Sequence, residues 1–513
     1  MDDSIPPIPD DPALKVWIEN LVHTNNTLAD EVKRLQEYIR LQIHKRFGAS
    51  SEKASSDQLG LFNEAEQDNP EEAPEPESPE TEVIVAEYTR KKKGRKPIPA
   101  GLPRVREEHD LPDEDKVCSD CGSHDLHKIG EEISEQLDII PAKVQVIQHV
   151  RPKYGCRQCE GAIKTAPMPP QPIPGSMAAP GLLAYIVTGK YVDGLPLYRQ
   201  EKCIFSRLGV EIARATLAQW MVRCGALIQP LINLLRDHLL SAKLIHCDET
   251  VTQVLKEPGK TPQSQSYMWV QVAELGPKKK VILFDYASSR SGSVPCQLLE
   301  GFEGYLQTDG YEGYNAITRK EAIIAQGCWA HARRKFDEVI KGLKKGSKTG
   351  KAHMGLAYIQ KLYRIEREIK DYSCEEKKRV RQQKSREILN KLRQWLDKSL
   401  PQAPPKTLLG KALNYLHNQW DKLIRYCDEG YLCMDNNLAE NAIRPFVIGR
   451  KNWLFSNSQA GATSSANLYS LLETAKACGL EPYHYIKTVF TLLPAATSIE
   501  DIEKLLPWNQ NPA

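Results

Sequence analysis

Acidic residues stand at the ends of segments that ought to be ordered. Lys243-Leu244-Ile245-His246-Cys247-Asp248-Glu249-Thr250 reads as a short buried strand ending in carboxylates. Gly304-Tyr305-Leu306-Gln307-Thr308-Asp309-Gly310-Tyr311 reads as a second, ending in an acid and a glycine turn. In Asp435-Asn436-Asn437-Leu438-Ala439-Glu440-Asn441-Ala442-Ile443-Arg444-Pro445, Asn436 or Asn437 can cap a helix that carries Glu440 in its first turns. Hard cations such as Mg²⁺ take carboxylate oxygens and keep waters. Two such ions about 4 Å apart clamp the attacking and leaving oxygens of an in-line phosphoryl displacement. Asp248, Asp309 and Glu440 are therefore the candidate ligands of Mg²⁺ or Mn²⁺, with Glu249 and Asp435 as competitors. Arg444, one turn after Glu440, could orient it or meet a phosphate. Arg450 and Lys451 continue a basic strip, and Trp453 and Phe455 offer apolar or stacking surface.

Thiols give a second chemistry. Cys118-x2-Cys121 and Cys156-x2-Cys159 are separated by 34 residues. Two such pairs close a tetrahedral four-sulfur shell around Zn²⁺, and a shell with no open position is structural. The intervening residues 131–152 alternate as ribbon strands would. Cys328 and His331 share a helix face at i, i+3 and could also take a metal, although a packed helix start accounts for them too.

These side chains need elements to hold them. Tyr267–Glu274 and Lys280–Tyr286 read as antiparallel neighbours of the first acidic strand. Ala322–Gln326 is a fifth strand, and a helix follows from Cys328. Three antiparallel strands and then strand–helix units is a ribonuclease-H-like order, which puts Asp248 and Asp309 side by side. Glu440 lies 131 positions beyond Asp309; the Lys-rich helical stretch about 340–430 is then an insertion. Upstream, 178–191 is an apolar helix. Residues 197–226 read as a helix, a break at Leu208-Gly209-Val210, and a second helix carrying Arg214, Thr216, Gln219 and Trp220. That is how a recognition helix is presented to a major groove.

The N-terminal part has a different periodicity. Leu14, Leu21, Leu28 and Leu35 fall seven apart, with Ile18, Asn25, Val32 and Ile39 on the alternate seam. That pattern suits a parallel two-stranded coiled coil with Asn25 setting register; a surface helix packed on the chain's own core is the alternative. Residues 54–89 hold eleven acids and no Lys or Arg, a composition that does not bury enough surface to order itself. The basic run after it includes Arg95 and Lys96, candidates for phosphate contact.

Of 513 residues, 41% are apolar and 26% charged. Net charge is +3, but outside 54–89 it is about +14, with 69 basic residues against 55 acidic. A basic body favours a nucleic-acid partner. No apolar run approaches the ~20 residues of a membrane span, and the acidic, proline-rich start is unlike a secretory signal. Thirteen cysteines without such a signal suit a reducing cytoplasm.

Long segments carry a resemblance. QTDGYEGYN, CWAHARRKF and above all NNLAENAIRPFVIGRKNWLFS resemble the transposases of the insertion-sequence-66 family. RFGASSEK, GRKP, SEQLDIIPAKVQVIQHVRPKYGCRQC, DGLPLYRQE and LLPWN are similar to it as well. The resemblance implies a DDE-type DNA recombinase whose triad is Asp248, Asp309 and Glu440. It also implies small accessory proteins encoded by the same element. The expected fold is α/β: a ribonuclease-H-like catalytic core with a helical insertion, preceded by a coiled coil, a zinc ribbon and a helix-turn-helix region. The expected domains are a coiled-coil helix at 12–53, an acidic then basic disordered linker at 54–100, and the zinc ribbon at 101–168. The helix-turn-helix region follows at 176–235, the catalytic domain at 240–475 and a helical tail at 476–513. The expected partners are double-stranded DNA, both element inverted repeats and target, and further copies of the chain. No membrane is involved, and the expected place is the bacterial cytoplasm at the nucleoid. A dimeric zinc-containing DNA-binding regulator and a structure-specific nuclease on the same fold are the alternatives.

Overall fold

The structure is a computed structural model that describes residues 12–47, 143–155, 163–344 and 350–511. The chain divides into two units, residues 54–146 and the remainder; only 143–146 of the first are described. The four zinc-ribbon cysteines, Arg95 and Lys96 lie outside the described residues. A short antiparallel pair, β1 (Lys153–Gly155) and β2 (Ile163–Thr165), brackets the second Cys-x2-Cys.

The main sheet contains β3 (Leu244–Lys256), β4 (Gln265–Gly276), β5 (Lys279–Ala287), β6 (Gly304–Gln307) and β7 (Ile323–Gln326) in the order β5-β4-β3-β6-β7. β3, β4 and β5 are antiparallel; β6 and β7 run parallel to β3. A short β8 (Ser456–Ser458) pairs with the far end of β3. All five expected strands form. β3 runs six residues past Thr250, because Thr252 and Val254 continue the buried pattern and β4 supplies partners as far as Gln253.

Helices cover both faces. In chain order they are α1 (Pro12–Phe47), α2 (Pro180–Tyr191), α3 (Leu197–Arg199), α4 (Arg214–Leu227), α5 (Gln229–Leu240), α6 (Ser293–Leu298), α7 (Trp329–Gly342) and α8 (Lys351–Glu368). They continue as α9 (Cys374–Val380), α10 (Arg386–Ser399), α11 (Leu408–Asn418), α12 (Trp420–Ile424), α13 (Asn437–Trp453), α14 (Gln459–Ala477), α15 (Pro482–Leu492) and α16 (Ile499–Glu503). One core joins α2, α4, α5, α13, α14 and α15 to the sheet. A second joins α7, α8, α10 and α11 with Leu41 of α1. The expected helical tail is helical but belongs to the main core: Ile486, Val489 and Phe490 are buried, and Tyr485 donates its hydroxyl to the Leu505 carbonyl at 2.9 Å.

β5 ends the sheet, and an uncovered edge invites pairing with another chain. Here α14 closes it. Thr474 Oγ1 accepts the Ile282 N–H at 3.0 Å, and Ser470 Oγ accepts that of Phe284 at 2.7 Å. The small residues that let α14 come so close also seat α4. The Gly225 carbonyl accepts from Asn467 Nδ2 at 2.9 Å, and Ser464 Oγ donates to the Val222 carbonyl at 3.2 Å.

The expected helix-turn-helix segment departs from two plain helices. After α3 the chain forms a π turn over Gln200–Phe205 and a 3-10 turn over Ser206–Leu208. Gly209, at φ +71, then redirects it. Phe205 accounts for the wide turn: it is buried and meets Tyr185 of α2 edge-on. On α4, Trp220 faces the core, whereas Arg214 and Gln219 are exposed and Thr216 is half-buried. On α1, Leu21, Leu28, Val32, Leu35 and Ile39 are about half exposed. That apolar seam has no cover among the described residues.

A Cβ on Gly225 would stand 2.5 Å from Ser464 Cβ and 2.6 Å from its Cα. Backbone on the far side leaves little room to relax. Gly225→Ala is expected to cost about 1–3 kcal/mol, seen as a lower denaturant midpoint with an unchanged slope. A midpoint equal to wild type would show that the two helices can separate freely.

Candidate active site

The parallel pairing of β3 and β6 sets His246 opposite Gln307. Two residues further along each chain stand Asp248 and Asp309, on the same register. Strand alternation puts Asp248 on one face of β3 with His246, and Glu249 on the other with Cys247. Asp309 lies just past the end of β6. The turn that follows is fixed by its own side chain, whose Oδ1 accepts the Tyr311 N–H at 2.8 Å. Burial pushes the Asp248 carboxyl up to about 8. The charges of Glu249, Asp309 and Glu440 add to the rise, and the Glu249 N–H, accepted by Asp248 Oδ1 at 2.9 Å, opposes it. The three acids expected from the sequence are thus brought together closely enough for each charge to act on Asp248.

Glu440 is on the first turns of α13, and the residue that fixes this helix is Asn436. It is one of the two asparagines expected as a cap and stands at the cap position, but its side chain makes no cap hydrogen bond. Asp435 Oδ1 takes the Asn437 N–H instead, at 3.3 Å. The Asn436 amide, fully buried, crosses to β3. Its Nδ2 donates to the Cys247 carbonyl at 2.8 Å, and its Oδ1 lies 3.1 Å from His246 Nδ1. Burial pushes His246 down to about 4, so the ring is neutral and Nδ1–H is the donor. The Asn436 backbone N–H donates to Cys328 Sγ at 3.2 Å, and its carbonyl accepts from Glu440 N at 3.1 Å. One residue therefore ties β3 beside Asp248, the start of α7 and the turn that carries Glu440.

Glu440 meets α7 through CWAHARRKF. Among the described residues its basic partner is Arg334, not Arg444: Nη2 stands 3.3 Å from Oε2. His331 Nδ1 lies 3.6 Å from the other oxygen, Oε1. Arg334 Nη1 is 3.2 Å from His331 Nε2. A guanidinium only donates, so Nε2 accepts and the proton sits on Nδ1. Burial, with the charge of Arg334, holds the ring below its usual pKa. The i, i+3 spacing of Cys328 and His331 was visible in the sequence; the approach of Glu440 to them was not.

The competing acids are engaged elsewhere. Glu249 takes Arg290, in a short ion pair, and the Tyr314 hydroxyl at 2.6 Å. Arg290 also lies over the Tyr311 ring at 3.7 Å. Sequence reasoning missed this group, whose only advance signal was aromatic-rich YEGY after Asp309. Asp435 caps α13 and receives Tyr363 Oη at 3.4 Å. Of the basic strip, Arg450 donates to Thr250 Oγ1 at 3.2 Å, beside the acids on β3. Arg444 is half-buried and Lys451 exposed on the same helix.

Two outcomes are expected. Asn436→Ala leaves a carbonyl and an imidazole N–H unpaired in the core, at roughly 1–3 kcal/mol each; denaturant unfolding measures the loss, and a loss below about 1 kcal/mol would mean water replaces the amide. Asp248 binds its proton more tightly folded than unfolded. Its contribution to stability is therefore complete below the unfolded value near 3.9 and is lost as pH rises through about 8. With structural zinc retained and no other divalent ion added, Asp248→Asn should melt higher than wild type at pH 9, and the gap should close towards pH 5. Parallel curves for the two proteins would show that Asp248 binds its proton no more tightly in the folded chain than in the unfolded one.

Comparison with known proteins agrees in extent and kind. Residues 175–464 match the profile of the IS66 transposase family. Residues 115–160 match the zinc-finger binding domain of IS66 transposases, and 470–508 the IS66 C-terminal element. Residues 34–106 match a profile described as Transposase C of IS166 homeodomain. The uncharacterized protein y4qI of Sinorhizobium fredii is 32% identical over 463 residues, 88% of this chain and 80% of its own. From the same organism, the uncharacterized protein y4jD is 33% identical over 425 residues, 80% and 81% of the two chains. With more than half of its length inside one family profile, the chain belongs to the IS66 transposase family.

Proposed function

We propose that the protein is a DNA transposase that cleaves the ends of its element and joins the exposed 3′-OH to target DNA. Asp248, Asp309 and Glu440 act as its catalytic acids. The observation that carries this is the placement of Asp309 and Glu440 close enough for both charges to add to the rise that burial and Glu249 impose on Asp248. The sheet order, three antiparallel strands followed by two parallel ones, supports a ribonuclease-H-like core. In such a core the stretch from α8 to α12 is the helical insertion.

Like-charged carboxylates held this close call for a counter-cation. The donor set is all carboxylate oxygen and fits Mg²⁺ or Mn²⁺. Bound at these acids, such ions would supply Lewis-acid polarisation of the phosphodiester and of the attacking oxygen. The chain does the rest. Asn436 fixes the separation of Glu440 and Asp248. Arg334 and His331 hold Glu440 against α7. Arg290 neutralises Glu249, so that charge does not compete for the cation. Arg444, Arg450 and Lys451 would meet the DNA backbone near the acids, and Arg214, Thr216 and Gln219 would read or grip the duplex from α4. The ribbon cysteines Cys118, Cys121, Cys156 and Cys159 would hold structural zinc, consistent with the zinc-finger match. The half-exposed seam of α1 would pair with a second copy as a coiled coil, which grips two ends at once. Among the described residues no helix is long and apolar enough to cross a membrane. Work on DNA at the bacterial nucleoid, with small proteins of the same element assisting, completes the proposal.

The test is a strand-transfer assay with Mg²⁺ and DNA bearing the repeats that flank the gene. Joined products are expected. Asp309→Asn should lose about 10²-fold or more while binding the same DNA within a few-fold. Cutting without joining would point to a nuclease. Binding that is indifferent to Asp309 and never leads to cutting, even with the neighbouring small proteins added, would point to a regulator.

A further inference from the structure

Next to the three acids lies a different kind of donor set. Cys328 Sγ, a nitrogen of His331 and an oxygen of Glu440 all lie within 4.8 Å of one another. A tetrahedral Zn²⁺ with bonds of 2.0–2.3 Å separates its ligand atoms by about 3.3–3.7 Å. The 3.6 Å between His331 Nδ1 and Glu440 Oε1 already matches. Neither atom finds a hydrogen-bond partner among the described residues, although both are buried. That is costly for a polar pair and is how two ligands look without their ion. Burial pushes the ion-free Cys328 thiol up to about 12, but the sulfur has donors at hand. Cys328 is fully buried at the head of α7, and the backbone N–H groups of Asn436 and His331 both act on it. Such donors stabilise a metal-bound thiolate from the second shell.

We propose that Cys328, His331 and Glu440 form a transition-metal site of the Zn²⁺ class that competes with the catalytic cation for Glu440. Thiolate, imidazole and carboxylate together select a borderline ion over Mg²⁺, which takes oxygen alone. On binding, the Cys328 thiol proton leaves to solvent and the imidazole proton moves from Nδ1 to Nε2. Arg334, half exposed, then swings off both partners. In the ion-free chain Arg334 supplies the positive charge that the ion would bring. The inhibitory half of this proposal rests on the function proposed above; the binding half does not.

The probe is Co²⁺ added to full-length protein whose ribbon is already loaded with Zn²⁺. A near-ultraviolet thiolate-to-cobalt charge-transfer band is expected in wild type. It should be absent in Cys328→Ser and strongly reduced in His331→Ala, both checked for wild-type melting behaviour. No band, or one unchanged in both variants, overturns the site. In Mg²⁺-supported joining, micromolar Zn²⁺ should inhibit wild type. Cys328→Ser should need about tenfold more or beyond, each protein measured against its own activity without Zn²⁺. Equal sensitivity overturns the competition. A chain that never joins DNA defeats the transposase proposal alone, and the cobalt band still decides the site.

Discussion

The position of everything near the acids depends on one buried amide. Asn436 uses all of its polar groups. Its side chain satisfies a carbonyl and an imidazole of β3, its N–H reaches the Cys328 sulfur, and its carbonyl starts the helix of Glu440. A buried polar network of this kind is worth most when complete, because each missing partner exposes the full desolvation cost of another group. Completeness also means geometry. With both ends of the amide spoken for, α13 cannot slide along β3 without breaking its bonds to β3 and to the head of α7 at once. Asp248 is one residue past the Cys247 carbonyl and Glu440 one turn past the amide. The distance between those acids is therefore inherited from Asn436.

Around that fixed distance the charges have to be arranged. Four carboxylates, those of Asp248, Glu249, Asp309 and Glu440, crowd one end of the sheet, and burial makes their repulsion count. The chain neutralises two of them and leaves two. Glu249, turned to the other face of β3, is closed off by Arg290 and Tyr314. Glu440 is met by Arg334. Among the described residues, Asp248 has only a backbone N–H against its neighbours' charges. On the function proposed above, Asp248 and Asp309, the two acids left with backbone N–H donors rather than a basic partner among the described residues, are the ones a bound cation would compensate. Arg334 is about half exposed, whereas Arg290 is stacked on Tyr311 and braced.

How much of this could be read beforehand follows the range of each interaction. Strands and acids were legible because apolar runs ending in Asp, or in Asp-Gly, are local patterns. All five expected strands form, and the shared register of Asp248 and Asp309 follows from β3–β6 pairing. Errors arose where a distant partner outbid a local preference. Asn436 or Asn437 reads as an N-cap, yet His246 and Cys247, about 190 positions away, claim the Asn436 side chain, and Asp435 takes over the cap. Arg444, one turn from Glu440, is the local choice of partner; Arg334, from 106 positions upstream, is the actual one. Phe205 turns a plain helix into a π turn because its ring belongs in the core beside Tyr185. The final 38 residues look like an appendage by position, but their apolar face is part of the main core.

The distance between Asp309 and Glu440 makes the same point about energetics. An excursion of 131 residues looks expensive, yet closing a loop costs only about 0.6 kcal/mol more for each doubling of its length. The excursion also builds its own core, with Trp329 fully buried and its indole N–H donated to the Leu423 carbonyl at 2.9 Å. What matters is how it returns. Gln307 and Gln326, from the ends of β6 and β7, both donate to the Cys433 carbonyl, and Trp329 N donates to that of Met434. The chain is thus gripped at two successive residues before Asn436 engages β3. Added length within the excursion therefore costs little, whereas residues 433–436 are held in place: the geometry of the candidate site is set by the point of re-entry rather than by the path taken to reach it.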